Sequence, residues 1–201
     1  MAKPKLLLVL FIGLAAFLWF GAVSVRAAGS DHVRWDIINI VFGPRNTISA
    51  GGTAFATAAN PSTLNIRLTG SGTFVAPASG GPSNAVTGGG TWETFNGAVS
   101  TGSGIYSVTG LASWQFANFQ VSSTNIDQIG NPSEAANGSA ILRIHYSDGS
   151  EGILGVGCHG PGAPDGINEG VIATKDFVTY WNANAPLPGV NLNRTVFHVT
   201  K

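Results

Sequence analysis

The sequence predicts an all-β protein: a single antiparallel, barrel-like domain of about eight to ten strands, with a two-sheet sandwich as the alternative. Three observations predict it. Charged residues make up only 10% of the chain, against about 25% in ordinary soluble domains, so the Glu- and Lys-rich faces of helices are missing. Ser, Thr, Val, Ile and 28 glycines dominate instead, as in strands joined by tight turns. Apolar residues recur with period two over most of the chain, and a Gly-x-Gly motif repeats three times. At 201 residues the chain is long enough for one domain with a sizeable core.

The elements follow in order from residue 29. Residues 32–42 are rich in Val, Ile and aromatics, with Trp35, Ile37 and Val41 on one parity. Residues 48–59 form a second strand, broken at Gly51-Gly52 by a bulge or bend. Residues 63–76, 86–95, 99–108 and 111–119 supply the third to sixth. Residues 122–138 read as a polar surface loop. The ranges 140–147 and 150–159 form a hairpin, and 194–199 closes the sheet. The segment 175–182 (KDFVTYWN) is the one stretch with helical spacing, with Phe177, Val178 and Trp181 on one face.

Asp148-Gly149 between two apolar runs predicts a type I′ turn. That register sets Tyr146 opposite Glu151, Ile144 opposite Ile153 and Leu142 opposite Gly155. Its other face carries Ile141, Arg143 and His145 against Gly152, Leu154 and Val156. The repeat comprises TGSGTF (Thr69–Phe74), TGGGTW (Thr87–Trp92) and TGSGIY (Thr101–Tyr106). Its uneven spacing excludes a solenoid and suits neighbouring strands of a meander. Stacked glycines there would let the sheet coil sharply, with each aromatic covering a neighbour's glycine gap.

Residues 1–28 read as an export signal. Lys3 and Lys5 precede an uncharged run from Leu6 to Val25, and Val25-Arg26-Ala27 or Ala22-Val23-Ser24 suits a signal peptidase. The run is also long enough to remain as an uncleaved anchor. Either way, residues 29–201 are expected outside the cytoplasm: extracellular, periplasmic or at the cell surface. With Lys3, Lys5 and Arg26 set aside, seven basic residues face ten acidic ones, a balance of −3. This argues against nucleic acid as a partner, and membrane contact is expected only through an uncleaved N-terminal segment. Cys158 is the sole cysteine, so no intramolecular disulfide forms.

Motifs of chemistry are few. Gly155–Gly160 spells G-x-G-x-x-G, but Pro161 and Pro164 follow where a phosphate-binding helix should open. Cys158 and His159 are adjacent in a strand and point to opposite faces, which prevents a nucleophilic dyad; a small buried residue at a strand end is the plainer reading of Cys158. No metal-ligand spacing, nucleophile elbow or P-loop occurs, and no cofactor is expected. Asp165, Asn168 and Glu169 follow a Pro-Asp-Gly turn that explains them without calcium. A hydrolytic carboxylate pair leaves no local signature; Asp36, Glu93, Glu151 and Glu169 are the acids nearest strand sequence. Sequons stand at Asn137 and Asn193. The candidate ligand-binding residues are Arg143, His145, Tyr146, Glu151, Cys158 and His159.

VRWDI (Val33–Ile37), the glycine repeats, YSDGSEGIL (Tyr146–Leu154), CHGPG (Cys158–Gly162), FVTYWNANAPLPGV (Phe177–Val190) and NRTVFHV (Asn193–Val199) together resemble a group of exported bacterial β-rich proteins with no assigned activity. The resemblance covers nearly all of residues 29–201. It implies a bacterial, exported protein and carries over neither activity nor site residues. The leading expectation is a non-catalytic exported or cell-surface protein that binds a small apolar ligand, a glycan or a cell-envelope component. Two alternatives stand beside it. One is a small barrel enzyme or isomerase for an apolar substrate, with Arg143, His145 and Glu151 or Tyr146 at the barrel mouth. The other is a structural surface protein built on the Gly/Ser/Thr/Ala-rich stretch 49–110.

Overall fold

The computed structural model describes residues 29–121 and 125–201, so the expected export segment 1–28 lies outside the described residues. Fourteen strands run in chain order: β1 (Asp31–Val41), β2 (Thr47–Ala50), β3 (Ala54–Thr57), β4 (Leu64–Leu68), β5 (Ser71–Ala76), β6 (Val86–Asn96), β7 (Val99–Phe119), β8 (Ile126–Asp127), β9 (Ala135–Tyr146), β10 (Glu151–Cys158), β11 (Gly170–Lys175), β12 (Val178–Tyr180), β13 (Asn182–Ala183) and β14 (Thr195–Thr200). The fold is all-β and built on a closed barrel of six antiparallel strands. The ring runs β1–β14–β9–β7–β6–β5 and back to β1. The other strands extend it: β10–β11–β12 from β9, β4–β3–β13 from β6, and β2–β8 along the end of β1. The first two extensions pack against each other through β11 and β3.

The ring has fewer strands than the pattern suggests, and the chain has more segments. Residues 99–119 form one strand rather than two, because bulges after Val108, Leu111 and Phe116 absorb the break at Thr109-Gly110. Residues 63–76 divide in two at Thr69-Gly70, where the Tyr106 hydroxyl donates to Thr69 O (2.8 Å). The expected loop 122–138 contributes β8, a 3₁₀ turn at Pro132–Glu134 and the start of β9.

Two local expectations are corrected. The segment 175–182 is not helical; Lys175 ends β11, Asp176 turns at φ 53, and Val178 pairs back with Lys175. Its period of apolar residues is short enough to fit either element, and the β-branched run before it decides for a hairpin. The 146–151 hairpin has a three-residue loop, not a type I′ turn. Only Gly149 has a positive φ (90°), whereas type I′ needs two. The Asp148 carboxylate instead accepts from Ser150 N (3.1 Å) and Ser150 Oγ (2.8 Å). The register therefore moves by one, pairing His145 with Glu151, Ile144 with Gly152 and Leu142 with Leu154. Leu142, Ile144 and Leu154 all enter the core, while Arg143 and His145 face out.

Aromatic rings fill the interior. Trp114 packs edge-on against Phe74 (5.4 Å) and Phe197 (4.8 Å), and Tyr146 against Trp92 (5.6 Å) and Tyr106 (6.4 Å). Their polar atoms are matched to the wall: Trp114 Nε1 donates to Asp31 Oδ2 (3.0 Å), Tyr146 Oη to Thr174 O (2.8 Å) and Trp92 Nε1 to Ile105 O (3.1 Å). The glycine repeat makes room for them. Gly72 pairs with Gly88 across β5 and β6, and a Cβ on Gly72 would lie 2.2 Å from Thr87 O and 2.9 Å from Trp35 Nε1. Trp92 lies over Gly104 and Gly102 in the same way. The Gly/Ser/Thr-rich stretch is thus folded into the barrel wall.

At the hairpin end of β10, buried Lys175 lies 4.4 Å from the Trp92 ring and 5.0 Å from the Tyr146 ring. Its ammonium donates to Asp148 Oδ2 (2.5 Å), Asp176 Oδ2 (3.0 Å) and Ser150 Oγ (3.1 Å). Burial pulls the Lys175 ammonium down, but these carboxylates outweigh it and hold the group above its ordinary value.

Two outcomes follow. Gly72→Ala forces a methyl onto the Thr87 carbonyl and lowers unfolding free energy by about 3 kcal/mol in urea denaturation; Gly81→Ala, where the nearest atom to a Cβ is Ser79 Oγ at 3.4 Å, changes it little. The hydrogen bond from Lys175 holds Asp148 down at about 2, below its ordinary 3.8. A carboxyl depressed in the folded state stabilises the fold above its unfolded pKa and loses that contribution as pH falls through the folded one. Acid unfolding between roughly pH 4 and pH 2 is therefore shallower in Asp148→Asn than in the parent; superimposable acid limbs contradict the assignment.

Candidate functional site

The far end of the β10–β11 ladder carries a different arrangement. There β1 leaves the barrel after Ile37 and pairs with β2. Ile38, Ile40 and Ile48 pack with Ala135 and Val196 into a second, smaller core outside the barrel. Between this apolar wall, the 159–169 loop, the 181–186 segment and the start of β14 opens a cleft of about 530 Å³, within the usual range of small-molecule sites. The loop leaves the ladder because Pro161 and Pro164 cannot donate to it, and Gly162 (φ 81) and Gly166 (φ 92) turn it back.

Glu169 ties the three elements together. Its Oε2 accepts from His159 N (2.5 Å) after β10, and its Oε1 accepts from Thr195 N (2.7 Å) at the start of β14. The Thr195 hydroxyl donates to Gly157 O (2.6 Å). Burial pushes the Glu169 carboxyl up; the hydrogen bonds from His159 and Thr195 oppose it without cancelling it. Arg194 Nη2 donates to Leu187 O (3.2 Å), with the guanidinium 5.8 Å from the Phe42 ring centroid. The Arg194 Nε is enclosed without a hydrogen-bond acceptor.

The six sequence candidates separate into three places. Arg143, His145 and Glu151 lie exposed on the outer face, where His145 Nδ1 meets Glu151 Oε1 at 2.7 Å. The barrel-mouth arrangement for an apolar substrate is therefore not formed: Arg143 and His145 alternate along β9 with the buried Leu142, Ile144 and Tyr146 and so face open solvent. Tyr146 is fully buried, its hydroxyl pushed up by burial. Cys158 and His159 line the cleft and part from each other as strand alternation requires. The buried Cys158 thiol donates to Thr195 O (3.4 Å) and accepts from Gln120 Nε2 (3.4 Å); burial, then the Glu169 charge, pushes it well up. A thiol in that state is unreactive. His159 turns outward with Nδ1 at 2.8 Å from Ile167 O.

Sequence reasoning missed Arg194, Thr195, Gln120 and the apolar wall. The signal for the wall was present: Ile38 and Ile40 have the opposite parity to Trp35 and Ile37, which marks a strand buried on both faces.

A second polar cluster lies on the barrel's outer surface. Arg34 grips Asp36 through Nε–Oδ2 (2.7 Å) and Nη2–Oδ1 (3.0 Å), and His198 Nε2 lies 2.8 Å from Asp127 Oδ2. Asp127 Oδ1 also accepts from Ile129 N (2.8 Å) and Gly130 N (3.1 Å), so the cluster fastens β8 and the turn after it over β14. Burial pushes Asp36 up, with Arg34 opposing. Both sequons are enclosed: Asn137 donates to Asn118 Oδ1 (2.8 Å), and Asn193 accepts from Phe55 N (2.8 Å). Neither side chain has room for a glycan in the folded protein. No group of three or more His, Cys, Asp or Glu suited to hold a metal ion occurs among the described residues.

Fold and site define an antiparallel β-barrel protein with a filled interior and a lateral, amphipathic cleft. No protein-family model matches the chain, and no curated protein or solved structure matches it either.

Glu169→Gln must turn an amide NH₂ toward a backbone N–H, and it lowers unfolding free energy by about 2 kcal/mol at neutral pH. The sign with pH is opposite to that of Asp148. A carboxyl raised in the folded state keeps its proton where the unfolded chain has lost it, so stability falls as pH rises from its ordinary 4.5 through the folded value. The variant lacks that decline; equal slopes in denaturant titrations across this range contradict a raised Glu169.

Proposed function

We propose that this chain is an exported bacterial protein, of the cell surface or envelope, that binds a ligand in the lateral cleft rather than transforming it. One observation carries the reading: Glu169 is the one carboxylate among the described residues lining the cleft, and both its oxygens are taken by backbone N–H groups. Glycoside hydrolysis uses two carboxyl groups across the scissile bond, and nucleophilic chemistry needs a base in contact with an activated nucleophile. Here the thiol faces a carbonyl and an amide, while the histidine faces another carbonyl. What the cleft offers is a fixed, half-apolar, half-polar wall, which is the requirement of recognition.

The export part of the reading rests on residues 1–28 and on the resemblance to exported bacterial proteins. The low charge and the glycine-rich wall suit a protein that works outside the cell without a charged partner.

Nuclear magnetic resonance of the ¹⁵N-labelled protein against a fragment library tests the cleft. Binding fragments are expected to shift the amides of His159, Asn168, Trp181 and Thr195 together. Shifts confined to the outer face at Arg143 and His145, or no binding fragment at all, would overturn the proposal.

A further inference from the structure

The cleft sorts its polar groups in an uneven way. Glu169 is spent on two backbone N–H groups, and Arg194 gives an Nη2 hydrogen to the Leu187 carbonyl beside the Phe42 ring. The Arg194 Nε is buried without a hydrogen-bond acceptor. Gln120 and Thr195 are likewise spent, but three other uncharged groups are not. The side chains of Asn168 and Asn182 and the indole N–H of Trp181 hydrogen-bond to nothing among the described residues. His159, which lines the cleft, has Nδ1 facing a carbonyl, so that nitrogen must carry the hydrogen and in the neutral ring Nε2 is left as an acceptor.

Trp181 adds a platform. It is 53% exposed, whereas Trp35, Trp92 and Trp114 are buried. An exposed indole is costly to keep in water, and its π-face attracts weakly positive C–H groups laid against it. Side-chain amides both donate and accept, as sugar hydroxyls do. A neutral sugar ring meets both needs: it has hydroxyls at its edge and C–H groups on its face. The one cation among the described residues lining the cleft, Arg194, already faces the Glu169 carboxylate and leaves no surplus positive charge for an anion, and a purely apolar ligand would leave two amides and an imidazole desolvated without partners.

Resting on the binding role proposed above, we infer that the ligand is a neutral glycan segment of one or two sugar rings, stacked on Trp181 and hydrogen-bonded by Asn168, Asn182 and His159.

Acrylamide quenching of tryptophan fluorescence in the full chain tests this, because Trp181 is the exposed indole among the described residues. The difference between the parent and Trp181→Phe isolates its signal. Neutral hexoses, N-acetylhexosamines and their disaccharides are titrated beside dodecanoate and citrate. The expected result is saturable protection by at least one neutral sugar, with the Trp181 quenching constant falling two-fold or more. Asn168→Ala with Asn182→Ala is expected to raise its Kd at least ten-fold, the unfolding midpoint staying unchanged. Protection by dodecanoate or citrate alone would overturn the glycan assignment and leave the binding role standing. No protection by any sugar, with fragments still shifting the cleft amides, would overturn it as well. Failure of the fragments too would remove both.

Discussion

The structure depends on how closely β5, β6 and β7 approach one another at their glycines. Six strands make a narrow ring, and strand number fixes how much side chain the ring can hold. Here the ring encloses the rings of Trp35, Phe74, Trp114 and Phe197, all essentially buried. The two indoles fit because wall positions facing them carry no Cβ: one on Gly72 would lie 2.9 Å from Trp35 Nε1, and one on Gly138 would lie 3.0 Å from Trp114 Cη2. The glycines of this stretch thus answer two packing needs, room for large rings inside and close approach of neighbouring backbones.

A filled barrel moves any function elsewhere. The β10–β11 ladder has two ends, and each gathers polar groups for a different purpose. At one, Lys175 is held by two carboxylates over two aromatic rings, which seals that end. At the other, Glu169 fastens β10, β11 and β14 around an opening instead of closing it. In both places the carboxylates are consumed by the fold, so among the described charged groups lining the cleft only Arg194 keeps unpartnered donors. The Glu169 and Lys175 ion pairs and hydrogen bonds serve the architecture, and under the proposed binding role recognition falls to amides, an imidazole and an indole.

Much of this was legible in the sequence, and the rest was not for definite physical reasons. The period-two runs and the glycine motif point to the barrel, because Gly72 and Gly104 have to stand where Trp35 and Trp92 pass, and Gly88 where the backbone of β5 comes close. The buried, unreactive Cys158 followed from strand alternation beside Pro161. The hairpin at 146–151 went astray by one residue because Asp148 is committed to Ser150 and Lys175, and Lys175 is 27 positions away. The cleft was hidden for the same reason at larger scale. Its walls come from β1, the 159–169 loop, the 181–186 segment and β14, and only the closed ring brings them together. Glu169 was visible as an acid after a turn, but its two backbone partners belong to strands far apart in sequence.

The central claim is that the barrel interior is full and the accessible space lies outside it. A crystal of the protein pressurised with xenon tests this directly, since xenon enters apolar cavities that exclude water. The account predicts no xenon within the ring bounded by Trp35, Phe74, Trp114 and Phe197, and occupancy only outside it, against the Ile38–Ile40 wall of the cleft. A xenon atom among those four rings would contradict it, and would return the barrel lumen to consideration as the binding site.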